Sequence, residues 1–350
     1  MDRHISIGPR RVGAGEPAFV IAEAGVNHNG DLTTALRLVD VAAEIGADAV
    51  KFQTFKADKL VTAEAPQAAY QKQNMGRTQS QLEMLRRLEL SADAHVALVE
   101  RCRRRGIIFL STPFDESSAD LLYGLGVPAF KIPSGEVTNL PLLAHIGRFG
   151  KPMIVSTGMC RLSEVEAAVA TIEEAGLFDM VLLHCVSNYP ADPSDVNLRA
   201  MHTMRAAFGL PVGYSDHTLG DEVGLASVAL GAAMVEKHFT LDRNMPGPDH
   251  RASLEPDELE KFIRGVRNVE AAMGNGRKVP AASEMDTAAV ARKSLVAACD
   301  IAEGTELTED VIAIRRPGTG LPPSMRSHLV HRTARRAIPA GTLISLEMVA

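Results

Sequence analysis

Residues 213–218 read Gly213-Tyr214-Ser215-Asp216-His217-Thr218. Residues 236–242 read Glu236-Lys237-His238-Phe239-Thr240-Leu241-Asp242, and Pro246-Gly247-Pro248-Asp249-His250 follows soon after. A short β-like run precedes each histidine, at 210–214 and 234–236, and the Ala-, Leu- and Gly-rich chain between them reads as a helix over 221–232. This is strand, helix, strand, with one histidine near the C-terminal end of each strand. As parallel neighbours, the strands would bring both imidazoles to one rim of a sheet. Either histidine alone is more simply a satisfied core or rim residue. Two in register, where open α/β sheets and barrels bind their ligands, point to a divalent ion such as Mn, Co or Zn, completed by water or substrate oxygen.

The same unit recurs outward from this stretch. Residues 18–26 form the first strand. The loop Asn27-His28-Asn29-Gly30-Asp31 follows, then a helix over 32–45 with Asp31 as N-cap and Gly46 as its stop. Further strands are expected at 49–55, 107–114, 129–135, 153–157, 181–186, 210–215 and 234–239. Helices are expected at 82–105, 117–125, 140–149, 163–175, 196–208, 221–232 and 256–273. Strands such as Val181-Leu182-Leu183 are apolar on successive residues, as parallel strands covered on both faces are. Eight βα units over roughly 250 residues have the size of a closed (β/α)8 TIM barrel. An open doubly wound sheet is the second choice, weakened by the lack of a Gly-x-Gly-x-x-Gly turn. The polar excursion at 70–77 is a lid candidate, or simply a long surface loop.

The texture changes after residue 273. Gly274-Asn275-Gly276-Arg277 and Val279-Pro280-Ala281 read as a linker. The expected division is a catalytic barrel over 1–273, a linker over 274–291 and a small β-rich domain over 292–350. That last part has β-like pieces at 294–298, 311–315 and 334–338, and is small enough to need docking on the barrel or on a partner.

Composition narrows the function. The chain has 350 residues and a net charge of −6, so no basic field points to nucleic acid. Cys102, Cys160, Cys185 and Cys299 are scattered without CxxC spacing, which argues against a disulfide framework and fits a reducing cytoplasm. Residues 1–17 hold no apolar run of signal-peptide length, and no later run is long enough to span a bilayer.

In a barrel the chemistry sits at the C-terminal rim, and polar residues gather at these strand ends. Lys51 and Lys131 with Thr112, Ser134, Ser156 and Ser215 make a mixed cradle for a phosphate or carboxylate. The rival role for either lysine is a Schiff-base nucleophile. Glu23, Asp115, Glu136, Asp216, Glu236 and Asp249 are available as base, second-shell group or hydroxyl acceptor, and some of them must simply pair with the lysines. Arg316, beside the Pro317-Gly318 turn, could be aimed at a ligand, although composition alone favours a plain surface turn.

Several ordered strings resemble the sialic acid synthase family. They are Ile21-Ala22-Glu23-Ala24-Gly25-Val26-Asn27-His28-Asn29-Gly30, Lys51-Phe52-Gln53, Ser111-Thr112-Pro113-Phe114, Lys131-Ile132-Pro133-Ser134-Gly135-Glu136, Ser156-Thr157-Gly158-Met159, Ser215-Asp216-His217-Thr218 and Pro246-Gly247-Pro248-Asp249. Residues 292–350 resemble that family's antifreeze-like (SAF) domain. The resemblance implies condensation of phosphoenolpyruvate with N-acetylmannosamine and water to give N-acetylneuraminate and phosphate. A 2,4-diacetamido-2,4,6-trideoxy hexose, giving legionaminate, is the alternative.

By motif match, His217 and His238 would hold the metal, Mn before Mg or Co. Lys51, Thr112, Lys131, Ser134, Ser156 and Ser215 would hold phosphoenolpyruvate. The family also places an Asn from the sixth strand on this ligand. Here that motif reads His184-Cys185-Val186-Ser187-Asn188-Tyr189-Pro190, and Ser187 takes the position. Gln53, Tyr189 and Asp249 would face the sugar, with Arg316 arriving from the other subunit of a domain-swapped homodimer. Glu23 is the candidate for handling the water proton. Two competing readings are a Schiff-base barrel aldolase and a non-catalytic carbohydrate- or ice-binding protein. Metal-dependent phosphate release separates all three.

Overall fold

The computed structural model describes residues 3–67 and 80–350, and the lid candidate at 70–77 lies outside them. The chain divides into two units, Met1–Gly274 and Asn275–Ala350.

The first unit opens with a hairpin, β1 (His4–Ile7) and β2 (Arg10–Gly13), which the sequence reading missed. Eight parallel strands follow: β3 (Phe19–Gly25), β4 (Ala49–Thr54), β5 (Ile108–Pro113), β6 (Phe130–Ile132), β7 (Met153–Ser156), β8 (Met180–Cys185), β9 (Val212–Asp216) and β10 (Met234–His238). Their order in the sheet is β5-β4-β3-β10-β9-β8-β7-β6. The end strands β5 and β6 are chain neighbours that lie side by side, so the sheet curls almost into a closed barrel.

Alternation along each strand builds the layers. Val20, Phe52, Phe109, Phe130, Val155, Leu182, Tyr214 and Val235 point outward into the layer shared with the helices. Phe19, Ile21, Ala49, Leu110, Ile154, Val181, Leu183 and Met234 point inward and fill the barrel. Ile5, Ile7 and Val12 of the hairpin join that interior cluster, so the hairpin plugs the bottom of the barrel. Above this apolar floor, the next inward positions of the strands are polar.

Three elements differ from the sequence reading, each for a local reason. The strand expected at 129–135 shrinks to β6 because Pro133 has no N–H for the ladder, and a 3-10 turn, Ser134–Glu136, takes over. The helix expected over 82–105 is two, Gln81–Leu88 and Ala92–Arg105. Ser91 caps the second by accepting the Ala94 N–H, at 3.1 Å. The helix expected over 196–208 is also two, Pro193–Val196 and Ala200–Phe208, with Asn197 left-handed at φ 52° between them.

In the second unit β11 (Ser294–Ala297) pairs antiparallel with β12 (Ile312–Arg315) over a core of Leu295, Ile301, Leu307, Ile338 and Ile344. The segment read as linker carries a short helix, Met285–Ala291. The strand expected at 334–338 contributes only isolated bridges, Ala334 to Val349 and Ile301 to Ile338. No helix among the described residues is long and apolar enough to cross a membrane.

Candidate active site

A cavity of about 390 Å³ opens over the polar layer at the C-terminal ends of the barrel strands. Glu23, Lys51, Gln53, Thr112, Lys131, Ser134, Ser156, Ser187, Tyr189, Ser215, His217, His238 and Asp249 all line it. Arg316 belongs to the second unit, on an exposed turn where its Nε donates to the Ala291 carbonyl at 3.0 Å. A larger cavity, about 690 Å³, lies near the start of β9, between residues 13–18 and 209–212. It holds Arg3, Glu16, Arg205 and Glu270 but no convergent acid–base set, so the chemistry belongs to the first cavity.

Two lysines and two carboxylates make the floor. Lys51 Nζ lies 2.9 Å from Glu23 and 3.7 Å from Glu236, and donates to Thr112 Oγ1 at 3.2 Å. Lys131 Nζ lies 3.6 Å from Glu236 and donates to Ser156 Oγ at 2.7 Å. Ser215 Oγ donates to Glu236 at 3.0 Å. The carboxylates separate electrostatically. Burial pushes Glu23 up to about 7, against the pull of Lys51. Burial would raise Glu236 too, but Lys131 and Lys51 outweigh it and hold that carboxyl down at about 2. Burial also lifts Asp249 to about 6. Lys131 is lowered by burial, whereas Lys51, buried between Glu23 and Glu236, is held above its usual value. A fixed anion beside an acid poised near neutrality is the pattern of assigned acid–base roles.

The histidines line the same cavity, with ring centroids 5.5 Å apart, and the Tyr189 ring lies 4.2 Å from that of His217. His217 Nδ1 is 2.6 Å from the Val186 carbonyl. A carbonyl only accepts, so Nδ1 carries the proton and Nε2 keeps its lone pair. Burial lowers His217 to about 4 and takes His238 well below the usual imidazole value, so both rings are neutral at pH 7. His238 Nδ1 is buried without a hydrogen bond among the described residues. Two neutral imidazoles, one with its tautomer fixed by a carbonyl, fit a divalent ion bound through two protein nitrogens. No cluster of three or more His, Cys, Asp or Glu suits a metal among the described residues, so the remaining ligands would be water and substrate oxygens.

Gly158 keeps the cradle tight. A Cβ there would stand 2.4 Å from Ser187 Oγ, 2.9 Å from Ser134 Oγ and 3.0 Å from Cys185 Sγ. Its N–H donates to Ser134 Oγ at 2.9 Å.

Three carboxylates from the sequence reading lie off the cavity. Asp115 caps the helix Glu116–Gly124, accepting the Ser118 N–H at 3.0 Å. Glu136 accepts from Asn139 Nδ2 at 2.7 Å, and Asp216 pairs with Lys237 at 2.8 Å. Glu236, one of the carboxylates expected as base, hydroxyl acceptor or lysine partner, pairs with both lysines. The period of two back from His238 was the available signal, since it puts Glu236 on the same face. The apolar wall of Met84, Leu85 and Leu88 was missed, because only tertiary packing brings that helix to the cavity.

With this geometry in view, comparison with known proteins is direct. The NeuB family model matches residues 38–278, and the SAF domain model matches 292–350. The chain belongs to the NeuB family. It is a phosphoenolpyruvate-dependent condensing enzyme of the sialic acid synthase type. The N,N'-diacetyllegionaminic acid synthase of Legionella pneumophila is 48% identical over 98% of this chain and 97% of its own. The human N-acetylneuraminate-9-phosphate synthase is 37% identical over 97% of this chain and 95% of its own. A crystal structure of an N-acetylneuraminic acid synthetase from Leptospira borgpetersenii, in complex with citrate, matches with a TM-score of 0.72 and 36% identity, over 82% of this chain and 95% of that one.

Proposed function

We propose that this enzyme condenses phosphoenolpyruvate with 2,4-diacetamido-2,4,6-trideoxymannose and water, giving N,N'-diacetyllegionaminate and phosphate. It does so as a cytoplasmic, domain-swapped homodimer that uses a divalent metal, Mn in preference to Mg or Co. The observation that carries the reaction is the floor of two buried lysines and two unequal carboxylates in one cavity with two neutral imidazoles. The observation that carries the sugar is 48% identity to the Legionella synthase against 37% to the human one. That margin reverses the order suggested by the motifs, which put N-acetylmannosamine first. The Leptospira N-acetylneuraminic acid synthetase, 36% identical, keeps N-acetylmannosamine as the second reading.

Lys51 and Lys131, with Thr112, Ser134, Ser156, Ser187 and Ser215, receive the carboxylate and phosphate of phosphoenolpyruvate. Glu236 stays ionised between the lysines and holds both ammonium groups in place. Gln53, Tyr189 and Asp249 bind the open-chain sugar, and Arg316 of the partner subunit reaches its acyl group. His217 and His238 would hold a divalent ion, whose chemistry there would be Lewis-acid polarisation of the aldehyde carbonyl. C3 of phosphoenolpyruvate attacks that aldehyde carbon, forming the new C–C bond, and positive charge develops at C2. Water adds at C2 and gives its proton to Glu23. The C2–O bond to phosphate then breaks, the remaining hydroxyl proton leaves with phosphate and the 2-keto acid forms; the proton held by Glu23 balances the one that the new alkoxide oxygen takes up. The lysines act through charge and form no Schiff base.

The test is phosphate release from phosphoenolpyruvate with each sugar in parallel, after EDTA treatment and Mn²⁺ addition. The expected result is Mn²⁺-dependent release with at least tenfold higher kcat/KM for the diacetamido sugar. Preference for N-acetylmannosamine moves the enzyme to the neuraminate branch. Full turnover after EDTA treatment, or a borohydride-trapped adduct on either lysine, overturns the mechanism.

A further inference from the structure

We infer that Asp216 and Lys237 are positioning residues that set the two histidines from behind the barrel wall; the inference rests on the metal-binding reading of His217 and His238. In the parallel pairing of β9 and β10, Lys237 stands directly opposite Asp216. Their side chains meet at 2.8 Å, with 1% and 0% exposure. Each of them is the immediate N-terminal neighbour of a histidine.

Alternation puts the pair on the helix side. Tyr214, Val235 and Phe239, at the same parity as Asp216 and Lys237, pack in the outer layer, while Met234 packs inside the barrel. A Cβ on Gly224, in the helix Glu222–Ala229, would stand 3.0 Å from Asp216 Oδ2. The ion pair is therefore covered by helix and has no access to the cavity that the histidines line.

The hydrogen bonds show how the pair acts. Asp216 Oδ1 accepts from the Thr218 N–H at 2.9 Å and from Thr218 Oγ1 at 2.7 Å. Lys237 Nζ donates to the Thr218 carbonyl at 2.6 Å. Both backbone groups of Thr218 are thus tied to the pair, and His217 lies between Asp216 and Thr218 with no slack on either side. Lys237 anchors the same cluster to β10, one residue before His238. The spacing of the two imidazoles therefore depends on this clamp. A purely stabilising role would not need charge here, because apolar residues of similar volume often serve a buried site as well as an ion pair does. What charge adds is a single arrangement of the Thr218 amide and carbonyl.

The test compares Lys237→Met and the double variant Asp216→Asn/Lys237→Met with wild type and His217→Ala. The double variant carries no orphan charge, and Asn keeps an acceptor for the Thr218 N–H, so it decides the matter if the single variant does not fold. Mn²⁺ affinity is read from loss of the free-Mn²⁺ electron paramagnetic resonance signal. Phosphoenolpyruvate affinity is read by calorimetry without metal. The expected result is Mn²⁺ affinity reduced about 10- to 100-fold, the range typical of lost second-shell support, with phosphoenolpyruvate affinity within about twofold of wild type. Wild-type Mn²⁺ affinity in the folded variants, or equal loss of both affinities, overturns the inference alone. If His217→Ala binds Mn²⁺ as wild type does, or wild type binds none, the metal reading falls and takes the inference with it.

Discussion

Replacing Glu23 by Gln tests the acid–base assignment through both rate and stability. Glu23 is 1% exposed and 2.9 Å from Lys51, yet burial holds it up at about 7 instead of 4.5. That displacement corresponds to about 3 kcal/mol in favour of the neutral carboxyl. If Glu23 takes the water proton, only its ionised form works. In wild type kcat/KM should then fall about tenfold per pH unit below about 7 and level off above it. Glu23→Gln should lower kcat by about 10²–10⁴, or about 3–5 kcal/mol of barrier, and remove this limb. Any limb from ionisation of the substrate phosphate survives in the Gln variant, which separates the two sources.

Stability should move the other way. A carboxyl raised in the fold contributes stability below its unfolded value of 4.5, and that contribution is lost as pH rises through about 7. Glu23→Gln should therefore be the more stable protein at pH 8, by up to about 3 kcal/mol, with the gap closing towards pH 5. Phosphate-release kinetics and denaturant melts across this range measure both. Wild-type kcat in the Gln variant, or a limb near 7 that persists in it, refutes the assignment.

Two further outcomes follow from the geometry. Gly158→Ala puts a Cβ within 3.0 Å of Ser187, Ser134 and Cys185, so the cradle must open. Phosphoenolpyruvate affinity by calorimetry should fall at least about tenfold, roughly 1.4 kcal/mol, with the melting transition little changed. His28 and His250 are each lowered to about 4, chiefly by burial, so the fold holds them neutral while the unfolded chain protonates near 6.5. Stability should be full above about 6.5 and fall as pH drops towards 4, by up to about 3 kcal/mol for each. His28→Asn should flatten this slope in urea melts, and an unchanged slope would place the acid sensitivity elsewhere.

The barrel was legible because its signal repeats: apolar runs of strand length alternate with helical periodicity, and polar residues collect at the C-terminal end of each run. The cavity followed from the same rule, since Lys51, Lys131, Ser215 and His238 occupy inward positions of different strands. The hairpin of Ile5, Ile7 and Val12 escaped notice because four-residue strands give too little alternation to stand out from a loop. Which carboxylate would take which role was legible only in part. Asp115, Glu136, Asp216, Glu23 and Glu236 all lie near strand ends, and only tertiary placement makes the first a helix cap, the second an exposed partner of Asn139, the third an outer-layer ion pair and the last two the floor of the site. The break before Ser91 is a case where capping chemistry overrode a continuous helical pattern.

The charge at the floor explains why two carboxylates are needed there. With Lys51 and Lys131 cationic and Glu236 ionised, the quartet is neutral when Glu23 is ionised and carries one positive charge when Glu23 is protonated. An arriving anion therefore favours the protonated form and pushes Glu23 further up from about 7. The limb in kcat should accordingly lie at higher pH than the limb in kcat/KM, because the two report the bound and free enzyme respectively. During reaction the balance reverses. Positive charge developing at C2 pulls the Glu23 proton affinity down just before water must lose its proton there, and departure of phosphate removes the anion that favours the protonated form, so Glu23 can release its proton and the floor returns to neutrality. A single fixed carboxylate could not follow this cycle. Glu236, pinned at about 2 between the lysines, keeps their charge in check throughout and leaves Glu23 as the group free to change state.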